Sequence, residues 1–122
     1  MSSNILSLFD HEKNVVTFKA GETIFKEGEP GDKMYVIRDG IVDIMLHDRL
    51  LESAQPGTII GEMALIDNAP RSGDAIAKTD VNLIAVDQKR FMFMVQETPY
   101  FAIRVMHIMA DRLRAQHRQL KG

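Results

Sequence analysis

A glycine, a glutamate and an arginine stand close together in the middle of the chain. They lie in Gly61-Glu62-Met63-Ala64-Leu65, which a short loop closed by Pro70 separates from Arg71-Ser72-Gly73-Asp74. A helical turn opening at Gly61 leaves the amides of Met63, Ala64 and Leu65 without intrahelical acceptors, and free N–H groups together with the helix dipole favour negative charge. Gly61 has no Cβ, so a ligand can approach the backbone there. Arg71 carries a planar, permanently charged fork able to take two phosphate oxygens, and Ser72 can donate one more hydrogen bond. A carboxylate beside such a site repels the anion unless it has another task. Accepting a hydrogen bond from a sugar hydroxyl is that task for the acidic residue of dinucleotide folds, and it suits Glu62. These residues ask for one ligand that carries a sugar hydroxyl and a single phosphate close together. Taken singly, each has an ordinary alternative: Glu62 capping a turn, Arg71 in a surface ion pair of little energy.

Gly61-Glu62-Met63-Ala64-Leu65 followed by Pro70-Arg71-Ser72 resembles the phosphate-binding cassette of the cyclic nucleotide-binding domains, a family found in bacterial catabolite activators, kinase regulatory subunits and gated ion channels. The resemblance implies that Glu62 binds the ribose 2′-hydroxyl and Arg71 the cyclic phosphate, with Ala64 and Ser72 cradling it beside Gly61 and Met63. It implies cAMP or cGMP as ligand, with cAMP favoured, and no metal or other cofactor. One departure is Gly73-Asp74, where family members carry small and non-acidic residues. A carboxylate 4 Å from the phosphate costs about 4 kcal/mol at an effective dielectric near 20. By strand alternation Asp74 shares a face with Ser72. It either weakens or abolishes binding, engages Arg71 when no ligand is present, or points into water.

The elements that position this cassette are short. The chain has 122 residues, 45% of them hydrophobic, which suits one compact domain spanning residues 1–122. A net charge of -2 advertises no attraction to nucleic acid or to an anionic membrane. No cysteine is present, so disulfides, thiolate zinc sites and cysteine-ligated clusters are excluded. No run approaches the twenty apolar residues of a membrane span, and residues 1–12 lack a signal-peptide pattern, so a soluble cytoplasmic protein is expected.

Ser3-Asn4 before Ile5, Leu6, Leu8 and Phe9 reads as an N-cap and a short amphipathic turn or helix, broken near Asn14, that packs on the main body. β-rich runs follow at Val15–Phe18, Glu22–Lys26, Lys33–Arg38, Ile41–His47, Leu50–Ala54, Thr58–Ile60, Ala75–Lys78 and Val81–Val86, each bounded by turn residues. Such even spacing suggests a sandwich or barrel. Asp39-Gly40 is a hairpin signal. Gly28 to Gly40 also resembles the glycine-rich first half of the same family, whose glycines turn corners between two sheets; a structural role follows for them, with Met34 and Tyr35 as core and rim.

After Asp87 the period lengthens. Asp87 caps a helix carrying Phe91, Met94 and Val95, and Pro99 opens a final helix running to about Leu120. Phe101, Val105, Ile108, Met109, Leu113 and Leu120 form an apolar stripe on it, which either packs on the β domain or pairs with a second copy as a homodimer. Arg104, Arg112, Arg114, Arg118 and Lys121 read as a solvated face suited to the helix C-terminus. The expected architecture is mainly β with flanking α: an antiparallel jelly roll (double-stranded β-helix) over residues 15–87, with a short N-terminal helix, a short cassette helix and two C-terminal helices over 88–120.

In the family the last helix covers the base. Counted in register from Arg71-Ser72, Phe91, Pro99 and Leu113, the resemblance puts Gln116 and His117 there. A carboxamide can give to N7 and accept from N6 of adenine. The expected function is a regulatory sensor that binds a cyclic nucleotide and signals through its last helix to a downstream partner. Two variants of that reading are the effector part of a Crp/Fnr-type regulator without its helix-turn-helix, and a jelly roll that has lost nucleotide binding. An enzyme on this scaffold would need clustered metal ligands or a nucleophile pattern, and His11, His47, His107 and His117 are scattered. Direct nucleic-acid binding is not expected either, since no recognition helix or aromatic interleaving appears.

Overall fold

The computed structural model describes residues 5–121, with side chains described through Gln119. A 3-10 turn, Ile5–Phe9, precedes strands β1 (Val15–Phe18), β2 (Thr23–Phe25), β3 (Lys33–Asp39), β4 (Val42–Leu46), β5 (Arg49–Ala54) and β6 (Ile59–Ile60). Helix α1 (Glu62–Ile66) is followed by β7 (Asp74–Ala77), β8 (Val81–Asp87), α2 (Gln88–Glu97) and α3 (Pro99–Lys121). The strands form two antiparallel four-stranded sheets, ordered β1-β8-β3-β6 and β2-β7-β4-β5.

Burial on both faces of β3 and β8 makes this a three-layer arrangement. In β8, Val81 and Leu83 face the second sheet, where they join Phe25, Ile37, Val42, Ala54, Ile60, Ala75 and Ala77. Ile84 and Val86, one step out of phase, face the helices with Met34, Val36, Ile59 and Leu65. That period-two split is what a strand buried on both sides requires. Ile5, Phe9, Phe101 and Val105 close the helical layer. Phe101 meets the rings of Phe9 and Phe91 edge-on, at 6.4 and 5.5 Å between centroids. The N-terminal turn thus packs on the body as expected; its proposed cap at Ser3-Asn4 lies outside the described residues.

Two expectations are corrected. Asp39-Gly40 is not a hairpin, because β3 and β4 belong to different sheets. Gly40, at φ 88, is a corner where an added Cβ would fall 2.2 Å from the Asp80 carbonyl oxygen. The hairpin is β4–β5, whose turn residues His47 and Asp48 both have positive φ, the twist that matches two paired strands. Secondly, the apolar residues of α3 form two stripes rather than one. Phe101 and Val105 are buried in the core with Ile108 and Met109 packed against it, whereas Leu113 is 67% exposed. Leu113 continues a separate face with Ile103, Met106 and Ala110, spaced three, four and three residues apart. The side chain of Leu120 lies outside the described residues.

The helix boundaries follow local chemistry. The Asp87 carboxylate accepts from the Arg90 amide at 2.8 Å as the N-cap of α2, and Pro99 opens α3 where its missing N–H has no partner to lose.

Candidate functional site

Gly61 links β6 to α1 in a left-handed conformation, φ 75 and ψ 15, that a side chain would resist. The turn swings Glu62, Ala64 and Leu65 inward and leaves Met63 exposed. From the far side of the loop Arg71 enters the same cleft. Its main chain is clamped by the glycine-rich segment after β2: its N–H donates to the Glu29 carbonyl at 2.9 Å, and its carbonyl accepts from the Gly28 amide at 2.8 Å.

The Arg71 side chain is only 7% exposed. Nη1 donates to the Gly61 carbonyl at 3.0 Å, and the guanidinium carbon sits 4.2 Å above the Phe25 ring. Among the described residues no carboxylate pairs with it. Burial lowers its pKa from the ordinary arginine value, while electrostatic contributions from Tyr35, Asp32, Glu29 and Glu62 act in the opposite sense. Arginine stays charged regardless. A desolvated cation with no counter-ion is costly to a fold, and an anionic ligand removes that cost.

Glu62 is 5% exposed and supplies the second half. Its Oε2 accepts from Arg112 Nη1 at 2.9 Å, while Oε1 is buried with no hydrogen-bond partner among the described residues. A buried carboxylate oxygen left unsatisfied is an acceptor awaiting a donor such as a hydroxyl.

Arg112 was assigned from the sequence to a solvated face, and the structure overturns that. The guanidinium reaches in from α3 to donate from Nε and Nη2 to Glu52 on β5, at 2.6 and 3.3 Å, and from Nη2 to the Ile59 carbonyl at 2.8 Å. Desolvation alone would lower its pKa, but the hydrogen bonds and charges of Glu52 and Glu62 outweigh it and the net shift is upward. The signal was present in the spacing. Phe101, Val105, Ile108 and Arg112 recur at four, three and four residues, so Arg112 shares the core-facing side of α3.

Gly31 is the other residue whose place was missed. A Cβ there would lie 2.5 Å from the Arg71 guanidinium carbon and 2.7 Å from the Ala64 Cβ, so this glycine makes room for the cassette and does not turn a corner. Gly28, with φ 85 and nothing near its missing side chain, is a corner as expected.

Ser72 is exposed at the cleft edge. Asp74 does not engage Arg71: its Oδ1 accepts from the Glu27 amide at 2.8 Å, which ties β7 to the turn after β2. Gln116 and His117 are exposed on α3, and among the described residues neither side chain makes a hydrogen bond. Gln116 lies one turn beyond Arg112 and so on the side of α3 that faces the cassette, whereas His117 lies one turn beyond Leu113, on the outward stripe. Among the described residues no group of three or more metal-ligating side chains comes together, and no helix is long and apolar enough to cross a membrane.

The jelly roll with this cleft defines a receptor for a small anion that also carries a hydroxyl donor. Comparison with known proteins makes the class definite: the profile of the cyclic nucleotide-binding domain matches residues 15–98, and the chain belongs to that family. The family is one of regulatory binding domains, not of catalysts. The chain is 31% identical over 110 residues to a CRP-like cAMP-activated global transcriptional regulator of Mycobacterium tuberculosis, covering 86% of this chain and 49% of the relative. It is 41% identical over 71 residues to a cAMP-dependent protein kinase regulatory subunit of Eremothecium gossypii, covering 58% of this chain and 16% of the relative. Among solved structures, the catabolite activator protein of Thermus thermophilus superposes with a TM-score of 0.77 at 28% identity, over 88% of this chain and 53% of that one. The chain therefore spans about half the length of the bacterial regulators it matches, and less of the kinase subunit.

Proposed function

We propose that this domain is a cAMP sensor that reports ligand through α3. The observation carrying the reading is the presence, beside the turn after Gly61, of a buried guanidinium without a counter-ion and a buried carboxylate oxygen without a donor among the described residues. The cyclic phosphate meets Arg71, Ser72 and the amides of the turn after Gly61. The ribose 2′-hydroxyl donates to Glu62 Oε1. Gln116 meets the base from α3. Relatives named for cAMP and the adenine-matching carboxamide of Gln116 support cAMP over cGMP.

Glu62 is bonded at its other oxygen to Arg112, so ligand at the cassette acts on a residue of the signalling helix. For α3 to move, cAMP must bind one helix position better than the other. The outward stripe Ile103, Met106, Ala110 and Leu113 has the alternating three-and-four spacing of a coiled-coil seam, and we assign it to pairing with a second copy. His117 falls next in that series, which directs it toward the partner helix.

Isothermal titration with cAMP and cGMP, beside an Arg71→Ala control, tests the reading. Saturable heat from cAMP that the control lacks is the expected result; no heat from either nucleotide at high protein concentration refutes it. A second reading, the sensor part of a longer DNA-binding regulator, is favoured by the fraction of the Mycobacterium tuberculosis relative that the chain spans. The genomic reading frame decides it.

A further inference from the structure

Glu52 comes from β5, outside the cassette, and makes the two-point contact with Arg112 described above. Arginine has five N–H donors in a rigid plane, so anchoring one edge of the plane orients the others. In Arg112 the Nε and Nη2 edge is held by the two Glu52 oxygens, and Nη2 also reaches the Ile59 carbonyl. What remains is Nη1, aimed at Glu62 Oε2. Rotation of that carboxylate decides where Oε1 points. The chain of contacts therefore runs from β5 through α3 to the acceptor in the cleft, and the carboxylate at its start is half-buried and, among the described residues, makes no hydrogen bond to the cassette except through Arg112.

We propose that Glu52 is a positioning residue for nucleotide binding: by gripping one edge of Arg112 it sets the orientation in which Glu62 presents Oε1 to the ribose 2′-hydroxyl. This rests on the cyclic nucleotide reading above and names a residue that acts on one contact of that site. Glu52→Gln retains size and shape but weakens the charge-assisted fork. The freed Arg112 then follows Glu62 instead of holding it.

The test compares the affinities of cAMP and 2′-deoxy-cAMP by isothermal titration in the wild-type domain, Glu52→Gln, Glu52→Asp and, as a benchmark, Glu62→Gln. A hydrogen bond to a charged group predicts that the wild type prefers cAMP by roughly 10- to 100-fold. Glu62→Gln is expected to lose most of that preference, and Glu52→Gln to lose at least about threefold of it, with Glu52→Asp in between. A merely structural role for Glu52 weakens both nucleotides equally and leaves the ratio where it was. Thermal melting of each variant identifies any that is unfolded, and Glu52→Asp then carries the comparison. A wild type that discriminates, with Glu52 variants that discriminate equally well, overturns this proposal alone. A wild type that binds neither nucleotide overturns the cyclic nucleotide reading and this proposal with it.

Discussion

Replacing Arg71 with methionine separates two reasons for burying a cation, holding the fold and holding a ligand. Among the described residues the guanidinium makes one hydrogen bond, to the Gly61 carbonyl at 3.0 Å, and one ring contact, to Phe25 at 4.2 Å. Their loss costs about 1 kcal/mol for the hydrogen bond and about 0.5–2 kcal/mol for the cation–π contact. Against this stands relief from a desolvated charge, whose penalty is several kcal/mol when no counter-ion is near. Methionine keeps an unbranched stem and lays a polarizable sulfur over the Phe25 ring. The variant's unfolding free energy is therefore expected within about 1 kcal/mol of the wild type. Binding should respond very differently, since truncating one partner of a desolvated charge pair costs about 2–5 kcal/mol. That is a cAMP affinity roughly 30-fold to several-thousand-fold weaker. Urea denaturation and isothermal titration on the same preparations give both numbers. A variant that is destabilised by about 3 kcal/mol or more, yet binds cAMP within about threefold of wild type, refutes the reasoning and makes Arg71 a structural cation.

Three further outcomes are expected. Gly31→Ala drives a methyl into the Arg71 guanidinium and Ala64, so titration should show weakened cAMP binding along with a loss of about 1–3 kcal/mol in stability; Gly28→Ala, with φ 85 and open space, should cost about 1–2 kcal/mol and spare affinity. Leu113→Glu, at a position already 67% exposed, should leave protomer stability within about 0.5 kcal/mol while sedimentation equilibrium shows a monomer in place of a dimer. Glu12 has a pKa lowered chiefly by the hydrogen bond from Arg90, with burial opposing and the Asn14 amide assisting. A depressed carboxylate stabilises fully above its unfolded value, so the destabilisation by Glu12→Gln should be present at neutral pH and fade as pH falls below about 4. A penalty in urea titrations that grows on acidification contradicts this.

The cassette was legible because its parts are neighbours in the chain. Gly61, Glu62, Arg71 and Ser72 lie within twelve residues, and the residue types alone imply an anion beside a hydroxyl donor. Strand positions were legible for a similar reason: side-chain alternation and turn residues are local, and Val15–Phe18 is found at the expected bounds. So were the Asp87 cap and the Pro99 helix start, which depend on chemistry within one turn. Asp39-Gly40 misled because a turn-forming pair specifies a reversal of direction but not which sheet receives the next strand.

Amino-acid order by itself determined a β-rich domain, the Gly61–Ser72 cassette of the cyclic nucleotide-binding family and a long last helix, since each of these follows from patterns only a few residues long. Tertiary structure decided which acceptors Arg112 meets. Helical spacing puts it on the core-facing side of α3, but Glu62 and Glu52 lie 50 and 60 residues away in the chain, and no local pattern joins them to it. Only the folded chain brings Arg112 to Glu52, Glu62 and the Ile59 carbonyl, and those acceptors stabilise its removal from water.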